Sequence, residues 1–143
     1  MSFQTAINDT PLLKDHLKNG LRALGSNSSK VQPTDTSKCE GSVDIDSAVK
    51  STYPNHSRWD YAVGYNGKTY FIEVHSAKTD EVKSVLKKLQ WLKDFLTKDA
   101  PDFDKERKSF HWVASSGNHI LPNSSQARQL AKSGIIVVGQ LTL

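Results

Sequence analysis

The dipeptide Asn66-Gly67 constrains this chain more than any other feature. Both residues tolerate the positive φ that a two-residue hairpin turn demands, and alternating runs flank them, Arg58 to Tyr65 and Lys68 to Ala77. Such a turn pairs Tyr65 with Lys68, which fixes the register of everything behind it. One face then carries Tyr61, Val63, Tyr65, Tyr70, Ile72 and Val74, a core surface. The other carries Arg58, Asp60, Ala62, Gly64, Thr69, Phe71, Glu73 and His75, with Asp60 opposite Glu73 and Arg58 opposite His75.

The remaining elements are read around that hairpin. Asn8-Asp9-Thr10-Pro11 reads as a helix start, and Leu13, Leu17, Leu21 and Leu24 recur at helical spacing up to Gly25. Ser26 to Lys38 is polar and aperiodic, a surface loop. From Gly41 the period becomes two, with Val43, Ile45 and Val49 on a strand. After the hairpin, Val82, Val85, Leu86, Leu89, Leu92, Phe95 and Leu96 trace one face of a helix that Asp80 can cap, with Lys87, Lys88, Lys93 and Lys98 largely on the other. Phe110 to Ala114 is short enough for a buried strand, Ala127 to Gly134 a short helix, and Ile135 to Val138 a β-branched strand. The order is αβββαβαβ in one domain over residues 1–143, an α/β fold with a mixed central sheet of about five strands flanked by helices.

Two carboxylates facing each other across strands repel, at a local cost of up to roughly 1 kcal/mol. A divalent cation between Asp60 and Glu73 is an economical compensator, since Mg²⁺ or Mn²⁺ takes oxygen ligands and is commonly held by one or two carboxylates. Neutralisation by Arg58 or Lys78 on a solvated face is the alternative, and a bulge in the hairpin would separate the two acids.

Asp60, then twelve residues, then Glu73-Val74-His75 within an αβββαβ order resembles the PD-(D/E)XK nuclease superfamily, the restriction-endonuclease-like fold. The resemblance covers about Gly41 to Gly117 and the helix before it. It implies metal-dependent hydrolysis of phosphodiester bonds in nucleic acid, with Asp60 and Glu73 as ligands of Mg²⁺ or Mn²⁺. The family's lysine two positions after the second acid is here His75, which can orient water or act as a base near neutral pH. Lys78 or Lys50 is a candidate for the missing cation, so the catalytic set reads Asp60, Glu73, His75 and Lys78. By the same resemblance Gln90, on the helix after the third strand, is a candidate substrate contact and Asp15 a candidate acid. Asp44, Asp46 or Glu40 could extend the acidic cluster.

A Glu73, His75 and His111 trio is a candidate for metal-free RNA cleavage. Arg58, Lys83 and Lys87 are candidate phosphate contacts, as are Lys88 and the Lys105, Arg107 and Lys108 group near Phe110. Trp59, Trp91 and Trp112 read as core or its margins. A catalytically inactive nuclease-fold module that binds nucleic acid or a protein partner is the rival reading. A small toxin or its immunity partner is a third.

Composition narrows the classes without choosing among them. The 143 residues hold one cysteine, Cys39, which excludes an intrachain disulfide framework and a multi-thiolate zinc site. No apolar run approaches the roughly 18 residues of a membrane span, and no basic-then-apolar leader opens the chain, so the expected location is cytoplasmic. The net charge of +4 suits nucleic acid and ordinary solubility alike. A homodimer or a protein partner is compatible with a chain of this length.

Overall fold

The computed structural model, which describes residues 2–143, forms the hairpin in the expected register: Tyr65 pairs with Lys68 and Tyr61 with Ile72. Asn66 and Gly67 take φ of 48° and 78°, the left-handed values this turn requires. In chain order the elements are α1 (Phe3–Asn8), β1 (Val31–Gln32), β2 (Cys39–Asp44), α2 (Ile45–Val49), β3 (Tyr61–Tyr65) and β4 (Lys68–Lys78). There follow α3 (Val82–Lys98), α4 (Pro101–Asp104), β5 (Lys108–His119), α5 (Ser125–Ser133), β6 (Ile135–Val138) and β7 (Leu141–Thr142).

The result is an α/β fold with a five-stranded mixed sheet in the order β2-β3-β4-β5-β6. The first three strands form an antiparallel meander, and β5 and β6 add in parallel after the α3 and α5 crossovers. A small parallel ribbon of β1 and β7, which the sequence reading left out, closes the far side. Among the described residues no helix is long and apolar enough to cross a membrane.

Both faces of the sheet are covered. The face that carries Asp60 and Glu73 holds the larger core, not the Tyr61 face alone: Ala62, Phe71 and Trp112 meet Val85, Leu89, Leu92 and Phe95 of α3, Phe3 and Ile7 of α1 and Leu130 of α5. The opposite face packs Val63, Ile72 and Val113 against Leu24, Val31 and Leu141. A 17-residue helix with an apolar stripe must bury that stripe, and here it does so on the side of the sheet that carries Phe71 and Glu73.

Two expected elements take other forms. No helix runs from Leu13 to Leu24: α1 ends where that helix was to begin, and short 3₁₀ turns occupy Lys14–His16 and Arg22–Lys30, the second broken at Gly25 with φ 55°. Leu13 enters the larger core and Leu24 the smaller one, so the four leucines serve opposite sides of the sheet. The chain crosses between them at the β2 edge, where Lys18 and Ser42 exchange backbone hydrogen bonds at 2.9 and 3.0 Å. The strand expected through Val49 stops at Asp44, whose carboxylate accepts from the Ser47 amide at 2.9 Å and caps α2. Ile45 and Val49 sit four residues apart and bury one helical face there.

Candidate functional site

The β3–β4 ladder ends at the Tyr61–Ile72 pair, yet the next pair back stays in contact through side chains. The Asp60 amide donates to Glu73 Oε1 at 3.2 Å, and the Val74 amide donates to Asp60 Oδ2 at 3.0 Å. The hairpin has no bulge, so the two expected metal ligands do meet. Lys88 completes the group from α3: its Nζ lies 2.5 Å from Glu73 Oε2 and 3.9 Å from Asp60 Oδ1. Helical periodicity places Lys88 near the edge of the polar face, and its four-carbon stem carries the ammonium inward over the sheet. The sequence reading had assigned Lys88 to the solvated face.

Glu73 is fully buried, whereas the Asp60 and Lys88 side chains remain about one-fifth exposed, at 22% and 23%. Burial is the largest influence on Glu73; the charge of Asp60 adds to it, and together they push the carboxyl up to about 8 against the pull of Lys88. Burial raises Asp60 as well, opposed by Lys88 and the Val74 amide and reinforced by Asp46 and Asp44. For Lys88 burial acts downward, but the charges of Glu73 and Asp60 win and the net shift is upward. The trio therefore binds protons more tightly than its separated members.

The two carboxylates are oxygen donors of the kind hard divalent cations take, and both oxygens of Glu73 are engaged, Oε1 by the Asp60 amide and Oε2 by Lys88. Two carboxylates converge, Asp60 Oδ1 carries no hydrogen bond, and the Asp60 side is the solvated one. Among the described residues no group of three or more His, Cys, Asp and Glu side chains is arranged to hold a metal ion. A cation between the two carboxylates shares the space with the Lys88 ammonium.

Other candidates go elsewhere. His75 lies two residues beyond Glu73, and its Nε2 pairs with Glu81 Oε2 at 2.8 Å instead of turning to the acids. Glu81, immediately before α3, gives the helix no side-chain cap, and neither does Asp80 in the preceding turn. Lys78 is exposed at the end of β4 beside His119, beyond a register shift between His75 and Ala77 that alters which side the strand presents. Lys78 is not brought to the acids; Lys88 stands where it was expected.

Arg58 lies before β3 and is not opposite His75. Its Nε meets Asp46 Oδ1 at 2.6 Å and its Nη1 donates to the Tyr53 carbonyl at 2.7 Å, which ties down the connection and occupies the group expected to hold phosphate. Asp44 caps α2, Asp46 serves Arg58, and Glu40 accepts from the Gly67 amide at 2.7 Å, so none reaches the pair as a further ligand. Gln90 is exposed and donates to Asp94 Oδ1 at 3.0 Å. Lys83 and Lys87 are exposed on α3, and Asp15 and Lys50 are exposed away from the pair. His111 projects on the Ile72 side of the sheet, opposite to Glu73, which rules out the Glu73, His75 and His111 trio. Two partners escaped the sequence, Glu81 for His75 and Lys88 for the acids, and the signal for Lys88 was a lysine flanked by Val85 and Leu89 on the buried side of a helix. No protein-family model matches the chain, nor does any curated protein or solved structure.

Proposed function

We propose that the chain is a nuclease-like phosphodiesterase of the restriction-endonuclease-like kind, with Asp60 and Glu73 as ligands of Mg²⁺ or Mn²⁺. The observation that carries the reading is the convergence of Asp60, Glu73 and Lys88, two carboxylates and one ammonium from three adjacent elements. The antiparallel β2-β3-β4 meander, followed by α3 and a parallel β5, agrees with the topology that the resemblance implies. A cation bound by the two acids would polarise a phosphate and lower the pKa of bound water. Lys88 supplies the fixed positive charge that His75 lacks, and its flexible stem lets the ammonium move from Glu73 toward a substrate oxygen. His75, the residue the resemblance offers for orienting water, would have to leave Glu81 to reach the two acids. Lys83 and Lys87 on exposed α3 positions offer salt-sensitive contacts to a nucleic-acid backbone.

The test is cleavage of labelled single- and double-stranded DNA and RNA with Mg²⁺ or Mn²⁺, beside Mn²⁺ calorimetry. Cleavage that needs the metal and disappears in Asp60→Asn and Glu73→Gln is expected. Absence of cleavage on all four substrates, together with absence of Mn²⁺ binding, overturns the reading. One observation favours a second reading: the Lys88 ammonium already neutralises the buried acid without a metal. On that account the domain is a non-catalytic module for nucleic acid or a protein, and retained oligonucleotide binding without Mn²⁺ binding selects it.

A further inference from the structure

The Lys88 ammonium occupies the space between the two acids, and its contacts show what holds it there. Among the described residues its Nζ has two partners, Glu73 Oε2 at 2.5 Å and Asp60 Oδ1 at 3.9 Å. The residues three or four positions away along α3 are Ser84, Val85, Trp91 and Leu92, so no acid of its own helix competes for the ammonium. The two carboxylates alone keep it over the sheet.

We propose that Lys88 is a tethered cation that fills the seat between Asp60 and Glu73 while no divalent ion is bound, and that swings out toward solvent when one binds. On the nuclease-like reading, on which this rests, Lys88 keeps the site closed until it is loaded.

Distance makes the two occupants exclude each other. Oε1 of Glu73 is committed to the Asp60 amide at 3.2 Å, and the ammonium sits 2.5 Å from the other oxygen. Since Mg²⁺ bonds oxygen at about 2.1 Å, an ion on Oε2 and the ammonium in its present place would lie within about 5 Å of each other. They would do so at a fully buried carboxylate, where repulsion between cations is poorly screened. A metal ion that uses Glu73 must therefore take Oε2 from Lys88.

The ammonium also has a way out. The Asp60 and Lys88 side chains are each about one-fifth exposed while Glu73 is enclosed, so the group opens on the Asp60 side. A lysine stem of four methylenes lets the head leave while the stem stays packed against apolar surface. A phosphate oxygen that draws the ammonium outward opens the seat, and linkage makes the converse hold: an ion in the seat frees the ammonium for the phosphate.

The test uses the full chain. Lysine acetylation by a dilute activated ester is followed peptide by peptide in metal-free buffer and again with Mn²⁺, beside Mn²⁺ calorimetry on the same sample. Lys83 and Lys87, exposed on α3, are the internal references. Lys88 is expected to react at least about tenfold faster with Mn²⁺, the factor that matches release from a hydrogen bond to a charged group, while the references hold steady. Asp60→Asn, which weakens the seat and leaves Lys88 in place, is expected to remove the response. Calorimetric binding with no change at Lys88, or a rise that persists in Asp60→Asn, overturns the proposal. If metal-dependent cleavage that needs Asp60 and Glu73 accompanies that result, the nuclease reading stands without it. Absence of Mn²⁺ binding overturns both.

Discussion

The two faces of the central sheet each bury a titratable side chain, Glu73 on β4 and His111 on β5, and they treat it in opposite ways. Beneath α3, Glu73 is fully enclosed and met by an ammonium at 2.5 Å. On the other face His111 is 7% exposed, lies against Tyr70 with ring centroids 5.6 Å apart, and shares one hydrogen bond with Ser109 at 2.7 Å. Among the described residues no acid is paired with it. Burial, helped by the charge of Lys68, drives His111 down to about 4, so it stays neutral, and its Nδ1 is left without a partner. An isolated ion cannot remain charged in an apolar layer, so it must either find a counter-charge or give up its own. The sheet shows both responses: Glu73 meets an ammonium and still holds its proton up to about pH 8, while His111, without a counter-charge, stays neutral down to about pH 4.

Removing the counter-charge should produce the largest effect. Lys88→Met leaves Glu73 as an uncompensated buried acid, and at pH above about 8 the expected loss is about 3–5 kcal/mol in urea denaturation. Adding Glu73→Gln should restore much of it, and a double-mutant cycle with no coupling would mean the 2.5 Å contact contributes nothing.

The pH dependence of stability separates the faces next. Glu73 titrates near 8 when folded and near 4.5 when unfolded, so the folded chain holds the extra proton in that window. Its contribution is fully present below about 4.5 and declines as pH rises through 8. Thermal melts in metal-free buffer should show that decline flattened in Glu73→Gln. His111 runs the other way: it titrates near 4 folded and 6.5 unfolded, so the unfolded chain binds the extra proton and stability rises with pH from about 4 to 6.5. His111→Gln should shrink that rise and leave the alkaline side unchanged; an unchanged acid slope would show that His111 is not the group responsible.

The smallest effect belongs to the solvated side of α3. Gln90→Ala breaks one exposed hydrogen bond to Asp94 and should change stability by no more than about 0.5 kcal/mol in urea denaturation.

The hairpin could be read from Asn66-Gly67 because the backbone requirement is local, and its register carried Asp60 to Glu73 without further information. The long helix could be read from its stripe, and the five-strand mixed sheet follows from the order of apolar runs. The leucine ladder misled because Leu13 and Leu24 sit at helical spacing yet pack on opposite faces of the sheet, a demand that local periodicity does not contain. Lys78 was the nearest cation in sequence; Lys88 is the one that the α3 packing brings close.

What the sequence determined by itself is therefore everything whose cause lies within one turn of chain: the tight turn, the alternation, the apolar stripe and the facing of two carboxylates. Only the tertiary structure decided that α3 lies over the acidic face, because which sheet surface a stripe covers depends on all the elements competing for it. That choice buried Glu73 and delivered Lys88 to it. It also set Trp91 and Phe95 against Tyr53, since side chains distant in sequence become neighbours only when their elements pack.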